Sequence, residues 1–177
     1  VNHVSNALGT INPVNEITRK AHAVGAKVLI DGAQSTPHMK VDVQDIDCDF
    51  YTFSGHKMYA PSGIGGMFGK MEVMETMSPY VTGGDMIMQV TLEKSTYAKP
   101  PARFEAGPPP ISQVIGLGDA IDYLNSVGMD KIFEYEKSLL DYGTQLLNDI
   151  EGVRIIGNAK EKAAILSIYL EAVHPHD

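Results

Sequence analysis

The sequence has almost no sulfur nucleophile of its own: one cysteine, Cys48, stands among 177 residues. A single thiol excludes an intramolecular disulfide framework and suits a reducing compartment, so the expected location is the cytoplasm. Positive charge is also scarce. Fourteen Lys and Arg face 22 Asp and Glu, for a net charge of -8. That balance, with no basic cluster to offset it, argues against a nucleic-acid partner. No apolar run approaches membrane-spanning length, so no membrane role is expected either. Metal ligands are few: His174 and His176 in "HPHD" resemble a pair, but no thiolate or carboxylate cluster completes a site. They read as a turn and helix start. Gly63–Gly66 lacks the G-x-G-x-x-G spacing before a helix, which excludes a dinucleotide fingerprint.

What remains is a globular composition, 44% apolar and 20% charged. The length suits one domain, or parts of two. The text opens on Val1 inside a strand-like stretch and stops at "LEAVHPHD". A piece of a longer protein is therefore expected.

The pattern along the chain alternates strand and helix. "VNHVS" reads as a short strand, and Val14, Ile17, Ala21 and Val24 stand at helical spacing before Gly25. "KVLI" at 27–30 is an apolar run of the kind buried on both faces of a parallel sheet. "FYTFS" at 50–54 and "GIGGMFGK" at 63–70 are further strands. This order predicts an α/β fold with a mainly parallel sheet flanked by helices. Residues 78–110 are rich in Gly and Pro, an irregular excursion that could hold a hairpin. Val114, Leu117, Ile121 and Leu124 mark one helix; Ile132, Leu139, Leu146 and Ile150 mark a second, with Gly128 between. "GVRIIG" and "AAILSIYL" read as strands of a new unit. The expected division is 1–128 for a large domain, and 129–177 for a linking helix and the start of a small α+β domain.

Ligands in open α/β sheets collect at the carboxyl ends of strands. Two segments end there in reactive groups: "KVLIDGAQ" offers Asp31 and Gln34, and "FYTFSGHK" offers Ser54, His56 and Lys57. Each alone is readily explained as a turn, a cap or a solvated chain; together they indicate a buried site. A lysine amine in a desolvated pocket loses its proton and becomes a nucleophile toward aldehydes. Pyridoxal 5'-phosphate needs such a lysine, and an acid paired with its ring nitrogen. On this reading Asp31 is the acid, Ser54 and His56 hold the phosphate, and Gln34 meets the ring hydroxyl.

"SNALGTINPV", "VLIDGAQSTPHMKVDVQDIDCDFYTFSGHKMYAPSGIG" and "ARFEAG" closely resemble the class V, fold-type-I pyridoxal-phosphate enzymes. Within that class they are similar to the SufS-type cysteine desulfurases, with the selenocysteine lyases adjoining. The likeness runs essentially from Val1 to Asp177. It implies less than half of a family member, the large-domain fold, and a homodimer with active sites at the interface. By matched position it implies that Lys57 carries the cofactor as a Schiff base and takes the substrate α-proton. Asp31 would pair with the ring nitrogen, Gln34 would contact the ring hydroxyl, and Ser54 and His56 would bind phosphate. Asn6 would lie beside the cofactor hydroxyl and the substrate carboxylate. The implied reaction converts L-cysteine to L-alanine, with the sulfur passing to an enzyme persulfide and on to an acceptor protein of iron–sulfur assembly. Selenocysteine is the neighbouring substrate.

The family's usual "RFEAGTP" reads "RFEAGPPP" here, so Pro108 replaces a phosphate-binding threonine with a residue lacking both hydroxyl and N–H. The family's persulfide cysteine belongs to a small-domain loop beyond this chain. Cys48, between Asp47 and Asp49, is expected to be a small packed residue rather than a substitute. On the residues present, the segment by itself is expected to be inactive. Two other readings remain at this stage: a class V aminotransferase or epimerase, and a non-catalytic remnant serving as a binding or dimerisation module. His3 and His22 are expected to be structural, and His38 is given no role.

Overall fold

The computed structural model describes residues 1–174, so His176 lies outside the described residues. Helix α1 (Val14–His22) is followed by strand β1 (Leu29–Asp31) and the short helix α2 (Val43–Ile46). Strand β2 (Phe50–Ser54) runs into a single 3-10 turn, Gly55–Met58, and then into β3 (Gly65–Gly69). In α1, Glu16 occupies the first turn and Arg19, Lys20 and His22 the last, each opposing the adjacent pole of the helix dipole. Val14 and Thr18 are its buried side chains, while Val24 lies beyond its end and is exposed. Asp42 caps α2 by accepting from the N–H groups of Gln44 and Asp45.

β1 and β2 pair in parallel, Leu29 to Phe50 and Asp31 to Thr52. β3 runs antiparallel to β2, from Phe50 against Gly69 to Ser54 against Gly65. The segment "VNHVS" forms no continuous strand. It is extended and bridges β1 in parallel at Asn2–Asp31, and folds back at Val4–Ile11. The core beneath the sheet gathers Val14, Val28, Ile30, Ile46, Cys48 and Tyr51.

At the amino end of the sheet, Asp49 is buried and accepts three donors: Val28 N–H at 2.7 Å, His22 Nε2 at 2.9 Å and Lys27 Nζ at 3.1 Å. Burial pushes its carboxyl upward, but the donors outweigh burial and hold it down at about 2. A depressed folded pKa stabilises the fold above the unfolded value near 3.8, and the contribution drains as the pH falls toward 2. The difference corresponds to about 2 kcal/mol. Asp49→Asn in the whole protein should therefore lower stability by about that amount at neutral pH. It should also flatten the loss of stability between pH 4 and pH 2; chemical unfolding across that range is the check.

After helix α3 (Met71–Met74), the irregular stretch contains the expected hairpin, β4 (Ile87–Val90) with β5 (Ser95–Tyr97). Helices α4 (Ile111–Val127) and α5 (Met129–Asn148) follow, broken at Gly128. The apolar spacing located both helices but not their buried faces. Ala120 and Leu124 are the buried residues of α4 and Leu140 of α5, while Val114, Ile121, Leu139, Leu146 and Ile150 are exposed. An apolar stripe marks a face that can be covered, and α4 carries more apolar surface than one neighbour covers. Gly116 of α4 meets the loop after the 3-10 turn. A Cβ there would stand 2.7 Å from Pro61 Cγ, so this close approach requires glycine. The antiparallel pair β6 (Val153–Ile156) and β7 (Ser167–Leu170) completes the order. Backbone bonds from Ile11 N to Glu161 O and from Ala163 N to Gly9 O tie this last part to the first loop.

Candidate functional site

Three chain segments reach the same edge of the sheet. Because β1 and β2 are parallel, the turns that follow them emerge side by side. The extended Val1–Val4 segment is also parallel to β1, so the turn holding Asn6 joins the same edge. Register then sorts the faces. Asp31 lies opposite Thr52, and Ser54 is two residues on, so all three belong to one face of the pleat. Ile30 and Tyr51 occupy the other, toward the core. The alternation in "LID" and "FYTFS" thus sends the reactive side chains one way and the packing side chains the other.

Asp31 is exposed, and its Oδ1 accepts from the N–H of Ala33 at 2.9 Å, which shapes the turn toward half-buried Gln34. Ser54 Oγ and His56 Nδ1 are 2.9 Å apart and hydrogen-bonded, which orients both at the end of β2. Lys57 lies one residue further, on the 3-10 turn, and is half-buried. Its side chain takes part in no hydrogen bond or ion pair among the described residues. Asn6 is exposed in its turn. The predicted site residues are therefore gathered on one edge, but that edge is open. The desolvated pocket expected around Lys57 is not formed by this chain, because the turns supply its floor and the described residues supply no cover.

Cys48 is fully buried at the opposite end of β2 from Lys57. Burial pushes its thiol up; the neighbouring Asp47 and Asp49, given weight from the sequence, add only a smaller push. His22 and His3 are structural, His22 bonding Asp49 and His3 bonding Tyr51. His38 does have a partner: its Nδ1 stands 2.9 Å from Glu136 Oε1 on α5, a contact across 98 positions of sequence. The "TGGDM" glycines form an ordinary turn, with Gly84 O accepting from Met86 and Gly107. Pro108 is exposed just beyond Gly107. No cluster of His, Cys, Asp and Glu able to hold a metal occurs among the described residues. No helix there is long and apolar enough to cross a membrane.

Beneath the site lies a polar group that the sequence reading missed. Tyr51 directs its hydroxyl to Ser35 Oγ at 2.6 Å and to His3 Nδ1 at 2.8 Å. The only sequence signal was a hydroxyl at a core-facing position of β2, next to Phe53 on the same face.

Comparison with known proteins identifies relatives of this chain. The cysteine desulfurase of Synechococcus elongatus is 52% identical over 172 residues, 97% of this chain and 28% of that protein. The cysteine desulfurase of Serratia proteamaculans is 51% identical over 175 residues, 98% of this chain and 43% of that protein. The apo structure of a cysteine desulfurase from Thermococcus onnurineus superposes with a TM-score of 0.94 at 38% identity, over 99% of this chain and 44% of that one. The chain thus spans less than half the length of these relatives and shares their fold-type-I architecture. The aminotransferase class-V family model matches residues 1–177 from end to end, and with relatives about half identical over nearly the whole chain, the chain belongs to that family.

Proposed function

We propose that the protein containing this chain is a pyridoxal-5'-phosphate-dependent cysteine desulfurase. It would convert L-cysteine to L-alanine and pass the sulfur, as an enzyme persulfide, to an acceptor protein of iron–sulfur cluster assembly. The observation that carries this reading is the parallel register of β1 and β2, which delivers Asp31, Ser54, His56 and Lys57 to one edge. The donor set fits the cofactor: a carboxylate for a ring nitrogen, a hydroxyl–imidazole pair for a phosphate, and, for an aldehyde, an amine with no partner among the described residues. When bound, pyridoxal phosphate supplies an aldehyde for that amine and a ring that accepts an electron pair from the substrate α-carbon.

This chain's residues supply the rest. Lys57 anchors the cofactor and takes the proton from the α-carbon. Asp31 keeps the ring nitrogen protonated, and Gln34 hydrogen-bonds the ring hydroxyl. Ser54 and His56, already aligned by their mutual bond, hold phosphate oxygens. Asn6, exposed in its turn, would hydrogen-bond the ring hydroxyl and the substrate carboxylate. Pro108 can donate nothing to the phosphate, so either phosphate binding is weaker there or neighbouring groups compensate. Cys48 is buried at the far end of β2, which supports a persulfide cysteine located elsewhere in the whole protein.

Residues 1–128 belong to the cofactor-binding large domain, and 129–177 to the linking helix and the start of the small domain. A homodimer, working in the cytoplasm, would cover apolar surface that this chain exposes on α4 (Ile111, Val114 and Ile115) and on the β4–β5 hairpin (Met88, Val90 and Leu92). The test is product analysis with cysteine as substrate. The whole protein should form alanine and a protein persulfide in equal amounts, and the isolated 177-residue chain should form neither. Alanine without persulfide, or transamination products instead, would overturn the assignment.

A further inference from the structure

The hydroxyl of Tyr51 is shared by two segments that come from different parts of the chain. Ser35 lies in the turn after β1, and His3 in the extended segment beside it. All three residues are buried: Tyr51 is 2% exposed, Ser35 0% and His3 6%. The ring itself is pressed under the turn. A Cβ on Gly32 would fall 2.0 Å from Tyr51 Cε1, so Gly32 is required by close approach rather than by its backbone angles. Around it the turn is closed by Gly32 N–H donating to Thr52 O at 2.8 Å, Ser35 Oγ donating to Gly32 O at 3.1 Å, and Thr36 Oγ1 donating to the same oxygen at 2.5 Å. From the other side, His3 N–H donates to Asp31 O at 2.8 Å. The turn that carries Asp31 and Gln34 is thus held from below by the Ser35 side chain and from beside by the His3 backbone N–H, and the side chains of both residues meet at the Tyr51 oxygen.

We propose that Tyr51, acting through Ser35 and His3, is a positioning residue that fixes the Asp31–Gln34 turn against the cofactor ring. The proposal rests on the pyridoxal-phosphate reading above. Tyr51 touches neither cofactor nor substrate, since register places it on the face opposite Asp31. Its contribution is to fix where the carboxylate and the amide stand. Burial lowers the His3 pKa and raises that of Tyr51 to about 12, so the three groups are neutral at ordinary pH. No titration of the network disturbs the turn near neutrality.

The test uses the whole protein and pyridoxal phosphate as the probe. Tyr51→Phe keeps the ring under Gly32 and removes only the oxygen. Asp49→Asn, at the far end of the sheet, serves as a control that loses stability without touching the turn. For Tyr51→Phe, cofactor affinity should fall about three- to tenfold, the net worth of roughly one hydrogen bond. The pH midpoint of the visible cofactor band should also move, because Asp31 and Gln34 face the ring nitrogen and ring hydroxyl that set it. Asp49→Asn should lose stability with neither change. If Tyr51→Phe does not fold, Ser35→Ala removes the partner of that hydroxyl with a smaller change and should give the same two shifts. An unchanged midpoint and affinity in the folded variant overturns the positioning role. Equal shifts in the Asp49→Asn control overturn it as well. A wild-type protein that develops no visible band with pyridoxal phosphate overturns the cofactor reading itself, and the positioning role with it.

Discussion

Lys57→Ala in the whole protein should reduce alanine formation from cysteine by at least about a thousandfold, with the fold intact. Two roles are lost in one substitution. The amine that anchors the cofactor disappears, and so does the base that takes the α-proton; general base catalysis alone is worth roughly a hundred- to ten-thousandfold. The stability of the cofactor-free protein, read by its thermal melt, should barely change. The half-buried Lys57 side chain makes no hydrogen bond or ion pair among the described residues, so removing it breaks no folded-state network. Substitutions of that kind usually stay within about 0.5 kcal/mol. The measurement pairs alanine release with a thermal melt. Loss of activity at an unchanged melting temperature supports a chemical role, whereas retained turnover would remove Lys57 from the mechanism.

Asp31→Asn should cost about a hundred- to a thousandfold in the same assay, the scale of removing one preorganised electrostatic partner. The substitution separates charge from shape. An asparagine oxygen can still accept from Ala33 N–H, the 2.9 Å bond that forms the turn, while its amide cannot keep a ring nitrogen protonated. Asp31→Ala loses both the charge and the turn bond. If charge is what matters, the asparagine variant is nearly as impaired as the alanine variant. If the asparagine variant keeps wild-type activity, Asp31 is only a turn residue. The cofactor's absorption gives an independent reading, because loss of the carboxylate should lower the pH at which the ring nitrogen deprotonates.

The parts of this site that could be read in the sequence are those encoded locally. Strand periodicity places Asp31 and Ser54 at the ends of apolar runs, and the short "GHK" turn fixes Lys57 just beyond. The carboxyl-edge rule for parallel strands then brings them together without knowledge of any side-chain contact. What could not be read was non-local. The Tyr51 oxygen joins residues 48 and 16 positions away, and His38 meets Glu136 across 98. Asp49 draws its donors from α1 and from the two residues before β1, which is why "DIDCDF" looked like a charge cluster around a thiol rather than the base of a strand. Helix faces failed for a related reason. Apolar residues at heptad spacing show that a face can be buried, but the partner that covers it decides which face is buried in this chain. The exposure of Val114, Ile121 and Leu139 beside buried Leu124 and Leu140 follows from that. The openness of the candidate site edge has the same origin, since the cover over a site is tertiary and quaternary and does not appear in a strand pattern.

The central claim is that Lys57 is the residue that carries the cofactor, and one measurement tests it most directly. The whole protein, loaded with pyridoxal phosphate, is reduced with borohydride, digested and mapped by mass spectrometry. The account predicts that the phosphopyridoxyl group lies on Lys57, in the peptide that includes "FSGHK", and that the label is lost in Lys57→Ala. A label on any other lysine, such as Lys40 or Lys70, would contradict it.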